Sequence, residues 1–237
     1  MRKGLPSGTS FAVSFARGLG VDDESIDPFA WELLPPWLGR IAGAPARFGS
    51  AASLYRSAVR ATTLGLVDHA VLRTRAIDAH LDAALEAGVR QLVILGAGLD
   101  ARAWRIEALK DAVVFEVDHP ATQRYKRSRT AGRVPPSDIR YVAVDLEKEQ
   151  FSEVLERAGF RRDAPSVWIW EGVTMYLPLR AVRGTIEQVS ELAAALGPAW
   201  EVVYDDDAHG WQKLTGSTAR PSRTFSAERL AVARRRS

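Results

Sequence analysis

Between residues 89 and 204 the chain alternates short apolar runs with longer stretches of helical period. The runs at 91–95, 112–117, 139–144, 166–170 and 200–204 are rich in branched and aromatic side chains. All five read as strands, and the first, a continuous apolar run ending in glycine, as a parallel strand buried on both faces. The stretches at 101–109, 120–129, 151–158 and 179–196 read as helices; His119-Pro120 opens the second, and Gly197-Pro198 stops the last. Strands alternating with helices predict an α/β fold with a parallel sheet covered on both faces. Upstream, residues 54–87 carry apolar positions at helical spacing, as at Ile77, Leu81 and Leu85, with Gly88 as the stop. Pro28, Pro35 and Pro36 break any long helix in the first fifty residues. There Trp31, Leu33, Leu34, Trp37 and Leu38 predict short apolar helices lying over another part of the chain. After Asp205, Gly, Ser, Thr and Arg replace the apolar periodicity. That tail reads as loop or disorder with one short helix at 227–234. The pattern thus divides the chain into a helical region 1–87, an α/β domain 88–205 and an irregular tail 206–237.

Composition narrows the class. With 46% hydrophobic and 26% charged residues, the chain has the balance of a soluble globular protein. No run of 18 apolar residues occurs, so no membrane span or membrane partner is expected. Arg2 and Lys3 are followed by neither a sustained apolar run nor a small-residue cleavage site, so no secretory signal is expected. The absence of cysteine excludes disulfides, zinc–thiolate sites and a cysteine nucleophile. It fits a reducing compartment, and a cytoplasmic location is the expectation. The net charge is only +3, with basic stretches at 124–133 and 234–236. Neither is interleaved with aromatics, so both read as solvated surface, and no nucleic-acid partner is expected.

The chemistry concentrates at the ends of the predicted strands. Leu95-Gly96-Ala97-Gly98-Leu99-Asp100-Ala101 follows one strand and opens a helix. Glycines in such a turn let the backbone approach a ligand, and the helix start offers unpaired N–H groups. The spacing GxGxxA also fits a dinucleotide site. Asp118 ends the next strand, where a carboxylate can accept hydrogen bonds from both ribose hydroxyls of an adenosine ligand. Glu116 competes for that role but lies within the strand, and Asp118 also suits a helix cap. Asp145 ends the third strand, placed to meet an adenine amino group while Leu146 packs on the ring. Glu171 ends the fourth. Three acidic strand ends would line one edge of the sheet. After Glu171, Thr174, Met175 and Tyr176 would wall an acceptor pocket, with core packing an equal alternative for Met175 and Tyr176. Arg73 and Arg75 share a predicted helix, and an arginine there can pair bidentately with a carboxylate.

Together these segments resemble the leucine carboxyl methyltransferase superfamily. The closer likeness is to its branch of candidate actinobacterial S-adenosyl-L-methionine-dependent methyltransferases. The resemblance rests on RTRAIDAHL at 73–81, QLVILGAGLDARAWRI at 91–106, FEVDHPATQRYKR at 115–127, YVAVDLE at 141–147 and WIWEGVTMYL at 168–177. It implies a Rossmann-like class I methyltransferase sheet with helices on both faces and an N-terminal helical extension. It implies S-adenosyl-L-methionine as cofactor, held at Arg73, Gly98, Asp118, Asp145, Leu146 and Glu171, with Arg75 as the alternative to Arg73; the glycine turn read above adds Gly96 to that set. The acceptor would be a small molecule methylated on a carboxylate or hydroxyl oxygen. No metal is expected, and no catalytic acid or base is assigned: none of His69, His80, His119 and His209 lies in a motif that marks a base. The family's further C-terminal helices and antiparallel strand have no clear counterpart after Asp205, so the C-terminal part is expected to be incomplete. Two other readings stand beside this one. A nicotinamide-dependent oxidoreductase would use GxGxxA but leaves Asp145, Leu146 and Glu171 without a role. A degenerate cofactor-binding protein would have lost its acceptor site.

Overall fold

In the computed structural model, residues 8–19, 27–43, 49–63, 66–194, 201–205, 220–223 and 229–234 are described. Seven strands among them form one sheet: β1 (Gln91–Leu95), β2 (Val113–Asp118), β3 (Asp138–Ala143), β4 (Ser166–Trp170), β5 (Glu201–Asp205), β6 (Arg220–Arg223) and β7 (Arg229–Arg234). Their order is β3-β2-β1-β4-β5-β7-β6. β1 to β5 are parallel to one another, and β7 runs antiparallel to both β5 and β6. After β3 the chain returns to lay β4 against the other side of β1. That reversal makes a crevice at the carboxyl ends of β1 and β4, the place where open α/β sheets bind ligands.

Nine helices accompany the sheet among the described residues: α1 (Gly8–Leu19), α2 (Ala30–Leu33), α3 (Pro36–Gly43), α4 (Gly49–Thr62), α5 (Leu66–Glu86), α6 (Arg102–Arg105), α7 (Pro120–Arg129), α8 (Ser152–Arg157) and α9 (Leu179–Ala194). Successive strand residues point to opposite faces, and β1 divides accordingly. Val93 and Leu95 join Phe115, Val117, Trp168 and Trp170 beneath Leu155 of α8 and Val182, Val189 and Leu192 of α9. Leu92 and Ile94 join Val114, Val167 and Ile169 beneath Ile77, Leu81 and Leu85 of α5. The four-residue spacing read from the sequence is therefore the sheet-facing stripe of α5. β1 and β4 are buried along their whole length, which is why their sequences carry no alternation.

The N-terminal helices form a cap held by its own apolar cluster of Ala16, Leu19, Trp31, Leu34, Val67, Ala70 and Val71. Trp31 of α2 packs against α1 and donates its indole N–H to the Gly18 carbonyl at 2.9 Å. Leu33 of α2 is fully buried against Leu99 and Ala101 of the glycine turn. Phe29 stacks on Trp104 with ring centroids 5.2 Å apart. The short apolar helices expected near Trp31 thus cover the turn after β1.

Several boundaries differ from the sequence reading. The helix expected over 54–87 is two helices, α4 and α5. The stretch 101–109 is the short α6 followed by a 3-10 turn at Glu107–Asp111. Two expectations for the tail are corrected: Arg229–Arg234 is no helix but β7, paired with β5 from Glu201↔Arg234 to Asp205↔Leu230, and it is the antiparallel strand that was expected to be missing after Asp205. The apolar run Leu230–Ala233 is four residues long and ambiguous by periodicity alone. The open edge of β5 decides it, because unpaired N–H and C=O groups recruit a strand. The expected stop at Gly197-Pro198 lies outside the described residues. No helix of the described residues is long and apolar enough to cross a membrane.

Candidate functional site

The turn after β1 is closed by its own backbone. The N–H groups of Gly96 and Ala97 both donate to the Val117 carbonyl, at 2.7 and 3.2 Å, which ties the turn to the end of β2. Gly96 (φ +63°) and Gly98 (φ +51°) adopt the left-handed conformation that disfavours side chains. Gly96 is constrained twice, because a β-carbon there would stand 2.4 Å from a methyl of Val173. Asp118 then joins the two loops. One carboxylate oxygen accepts the Gly98 N–H at 2.5 Å. The other accepts the His119 N–H at 2.6 Å. Burial raises the Asp118 carboxyl above the usual aspartate value, and these two N–H groups oppose the rise.

Above this turn lies a cavity of ≈ 640 Å³. Its wall includes Gly96, Gly98, Asp118, Asp145, Leu146, Glu171 and Arg73, so the residues predicted to hold a ligand converge on one space. Met175 and Tyr176 also line it, and their exposures of 60% and 52% leave that side open. Thr174 is different: it is buried, its hydroxyl has no hydrogen-bond partner, and it is not part of the cavity wall. Arg75, the alternative to Arg73, is exposed and also lies outside the wall. Glu116, the rival of Asp118, is sealed in the interior with Lys126 Nζ at 2.7 Å. Burial pushes its carboxyl up, against the pull of Lys126. Asp145 accepts from Lys148 Nζ at 2.8 Å, and that bond holds its carboxyl below the usual value.

The far wall carries a buried charge cluster. Glu171 receives Arg17 Nη2 from α1 at 2.5 Å, Arg73 Nε from α5 at 3.1 Å and Arg102 Nη1 from α6 at 3.0 Å. Burial alone would raise the Glu171 carboxyl, but Arg17, Arg102 and Arg73 outweigh it and hold it well below the usual glutamate value. Asp100 pairs with Arg102, which also holds Asp78 at 2.7 Å. Burial works to raise Asp100 too, and Arg102 and Arg17 reverse that into a net lowering.

Arg17, Asp100 and His119 stand on the cavity wall without having been singled out from the sequence. Asp100 lies inside the glycine motif itself, and that proximity is a usable signal. Arg17 is a lone arginine on an amphipathic helix, and only the packing of α1 on α5 reveals it. His119 caps α7: its Nδ1 accepts the Ala121 N–H at 3.2 Å. His80 is on α5 and not on the wall. The side chain of His69 and all of His209 lie outside the described residues. Among the described residues no group of three or more His, Cys, Asp or Glu is placed to hold a metal ion.

The sequence pattern of the family described as leucine carboxyl methyltransferase matches residues 20–190. A protein of Mycobacterium marinum, named a candidate S-adenosyl-L-methionine-dependent methyltransferase, is 42% identical over 130 residues, 54% of this chain and 42% of that protein. A protein of the same name from Mycobacterium sp. (strain KMS) is 36% identical over 159 residues, 66% of this chain and 48% of its own. The chain thus spans less than half the length of these relatives. A crystal structure from Thermobifida fusca, titled a candidate methyltransferase, superposes with a TM-score of 0.55 over 100% of this chain and 97% of that one, at 14% identity. At that identity the likeness speaks for the fold.

Proposed function

The chain belongs to the leucine carboxyl methyltransferase family, and from that membership we propose that it binds S-adenosyl-L-methionine and methylates a carboxylate or hydroxyl oxygen of a small molecule. The observation that carries the reading is the convergence of the glycine turn, Asp118, Asp145, Leu146 and Glu171 on one cavity at the carboxyl ends of the central strands. The fit is chemical as well as spatial. Asp118 joins the glycine turn to β2 and faces the cavity, where its lone pairs suit two ribose hydroxyls. Asp145 and Leu146 supply an acceptor and an apolar surface for an adenine. Arg73 and Glu171 supply opposite charges for the carboxylate and ammonium of an amino-acid end.

When bound, S-adenosyl-L-methionine supplies a methyl group already activated by its sulfonium charge. The chain's own residues then have to align the acceptor and keep water out. Met175 and Tyr176 wall the acceptor side. Among the described residues His119 is the one imidazole on the wall, and its Nδ1 is engaged by the Ala121 N–H. This favours acceptors whose oxygen is already ionised at neutral pH, namely carboxylates, over hydroxyls that need a general base.

The test is transfer of labelled methyl from S-adenosyl-L-methionine to a panel of small carboxylic acids and alcohols. Mild alkali releases methanol from a methyl ester and leaves a methyl ether intact. Label recovered as methanol is the expected result. Alkali-stable product would move the assignment to hydroxyl acceptors, and label on nitrogen or carbon would overturn oxygen methylation.

A further inference from the structure

The cavity wall divides by chemistry. Its acidic side chains sit at or just after strand ends: Asp100 after β1, Asp118 on β2, Asp145 and Glu147 after β3, and Glu171 after β4. Its two guanidiniums, Arg17 and Arg73, are both engaged by Glu171. From Arg73 toward the start of α5 the wall loses its charge. Ala70 and Val67 come next, both buried, and then Thr63, whose hydroxyl donates to the Val59 carbonyl at 2.8 Å. The helix rises about 9 Å between Arg73 and Val67. Val13 of α1 and Met175 and Tyr176 of the loop after β4 complete that side. Among the described residues it carries no ionised group. Met175 and Tyr176 are exposed at its mouth, and large apolar side chains left bare beside a cavity mark a binding surface.

We infer that this uncharged side receives the body of the methyl acceptor, and that the acceptor is an apolar monocarboxylic acid of about eight carbons. This rests on the cofactor reading above. An extended chain advances about 1.2 Å per bond, so about 9 Å takes about seven carbon–carbon bonds. The carboxylate lies toward the strand ends, at the methyl to be transferred. The tail lies along Ala70, Val67 and Val13, beside Met175 and Tyr176, and its transfer out of water drives binding. A second charge on the tail would be buried without a partner, which selects against dicarboxylic acids and amino acids. In the transfer step one carboxylate oxygen forms a bond to the methyl carbon as the carbon–sulfur bond breaks, and that bond's electron pair stays on sulfur. The acid becomes a neutral ester, and no proton moves. The apolar wall residues determine specificity and take no part in bond making.

Calorimetry on the full chain saturated with sinefungin tests this without turnover, because the amine of that analogue stands in for the charged methylsulfonium. The probes are hexanoate, heptanoate, octanoate, decanoate and octanedioate. From hexanoate to octanoate the affinity should rise about fourfold per methylene, the transfer free energy of a buried CH2. It should level off by decanoate, which outruns the wall. Octanedioate should bind at least about 100-fold more weakly than octanoate, as for a charge buried without a partner. Met175→Lys places a cation on this side at an exposed position, so it should narrow that gap by about tenfold, as for one charged hydrogen bond gained. A flat series overturns the inference, as does octanedioate bound as tightly as octanoate or an unchanged gap in Met175→Lys. Affinity that keeps climbing through decanoate also overturns it, since the acid would then lie on open surface. Protein that binds sinefungin and none of the acids overturns this inference and leaves the cofactor reading standing. Protein that binds no sinefungin removes both.

Discussion

Glu171 shows how one residue serves structure and site at once. Its side chain is 6% exposed and is the common partner of Arg17, Arg73 and Arg102. Removing one member of a buried ion cluster leaves the others uncompensated. Glu171→Gln should therefore lower the stability of the fold at neutral pH by about 3 kcal/mol, measured by urea unfolding. The pH dependence follows from the direction of the shift. The folded carboxyl is held well below its ordinary value. Such a group contributes stability at pH above its unfolded value, about 4.3, and gives it up as pH falls through the folded value. The gap between native protein and Glu171→Gln should therefore narrow on acidification below about pH 5. A gap that stays constant down to the acid transition would show that Glu171 is not the depressed group. The residues themselves were unevenly legible. Asp118, Asp145 and Glu171 announced themselves by ending apolar runs. Arg17 had no local signal, because its role depends on where α1 packs. Thr174 was placed on the acceptor wall by its neighbours in sequence, whereas the backbone turn at Thr174–Tyr176 directs it inward.

At the scale of elements, the turn after β1 and the loop after β4 are interlocked through Gly96 and Val173. A β-carbon at Gly96 would stand 2.4 Å from a Val173 methyl, on a backbone with φ +63°. Gly96→Ala should cost about 2 kcal/mol, the sum of overpacking and backbone strain. Adding Val173→Ala should restore only part of it, since the strained φ remains. Full recovery in the double variant would assign the whole cost to the clash; no recovery would assign it to the backbone. The four strands β1 to β4 were readable to within a residue: β1 and β4 are buried runs without alternation, and β3, half-exposed at the sheet edge, still carries Ile139, Tyr141 and Val142. α7 was readable because His119-Pro120 marks its start. The junction between α4 and α5 was not: it carries Thr62-Thr63-Leu64-Gly65, and a single glycine inside a helical pattern does not by itself mark a stop. β7 was not either: Arg229–Arg234 gains its strand character from the edge of β5, about twenty-five residues earlier in the chain.

For the molecule as a whole, the sheet, the cap and the charge cluster meet at one crevice. The strand reversal beside β1 opens it, the glycine turn floors it, and α1 covers it. The family pattern reaches from residue 20 to residue 190, so it spans the whole central sheet from β1 to β4. The cofactor is the claim on which every other functional statement rests, and the glycine turn alone admits a dinucleotide as readily. Calorimetric titration of the native chain with S-adenosyl-L-methionine and with NAD, repeated on Asp118→Ala, separates the two most directly. The expected result is saturable binding of S-adenosyl-L-methionine, no binding of NAD, and a loss of roughly 10- to 100-fold in the variant, as for a carboxylate removed from two hydrogen-bonded hydroxyls. Binding of NAD without S-adenosyl-L-methionine, or affinity for the latter unchanged by Asp118→Ala, would contradict it.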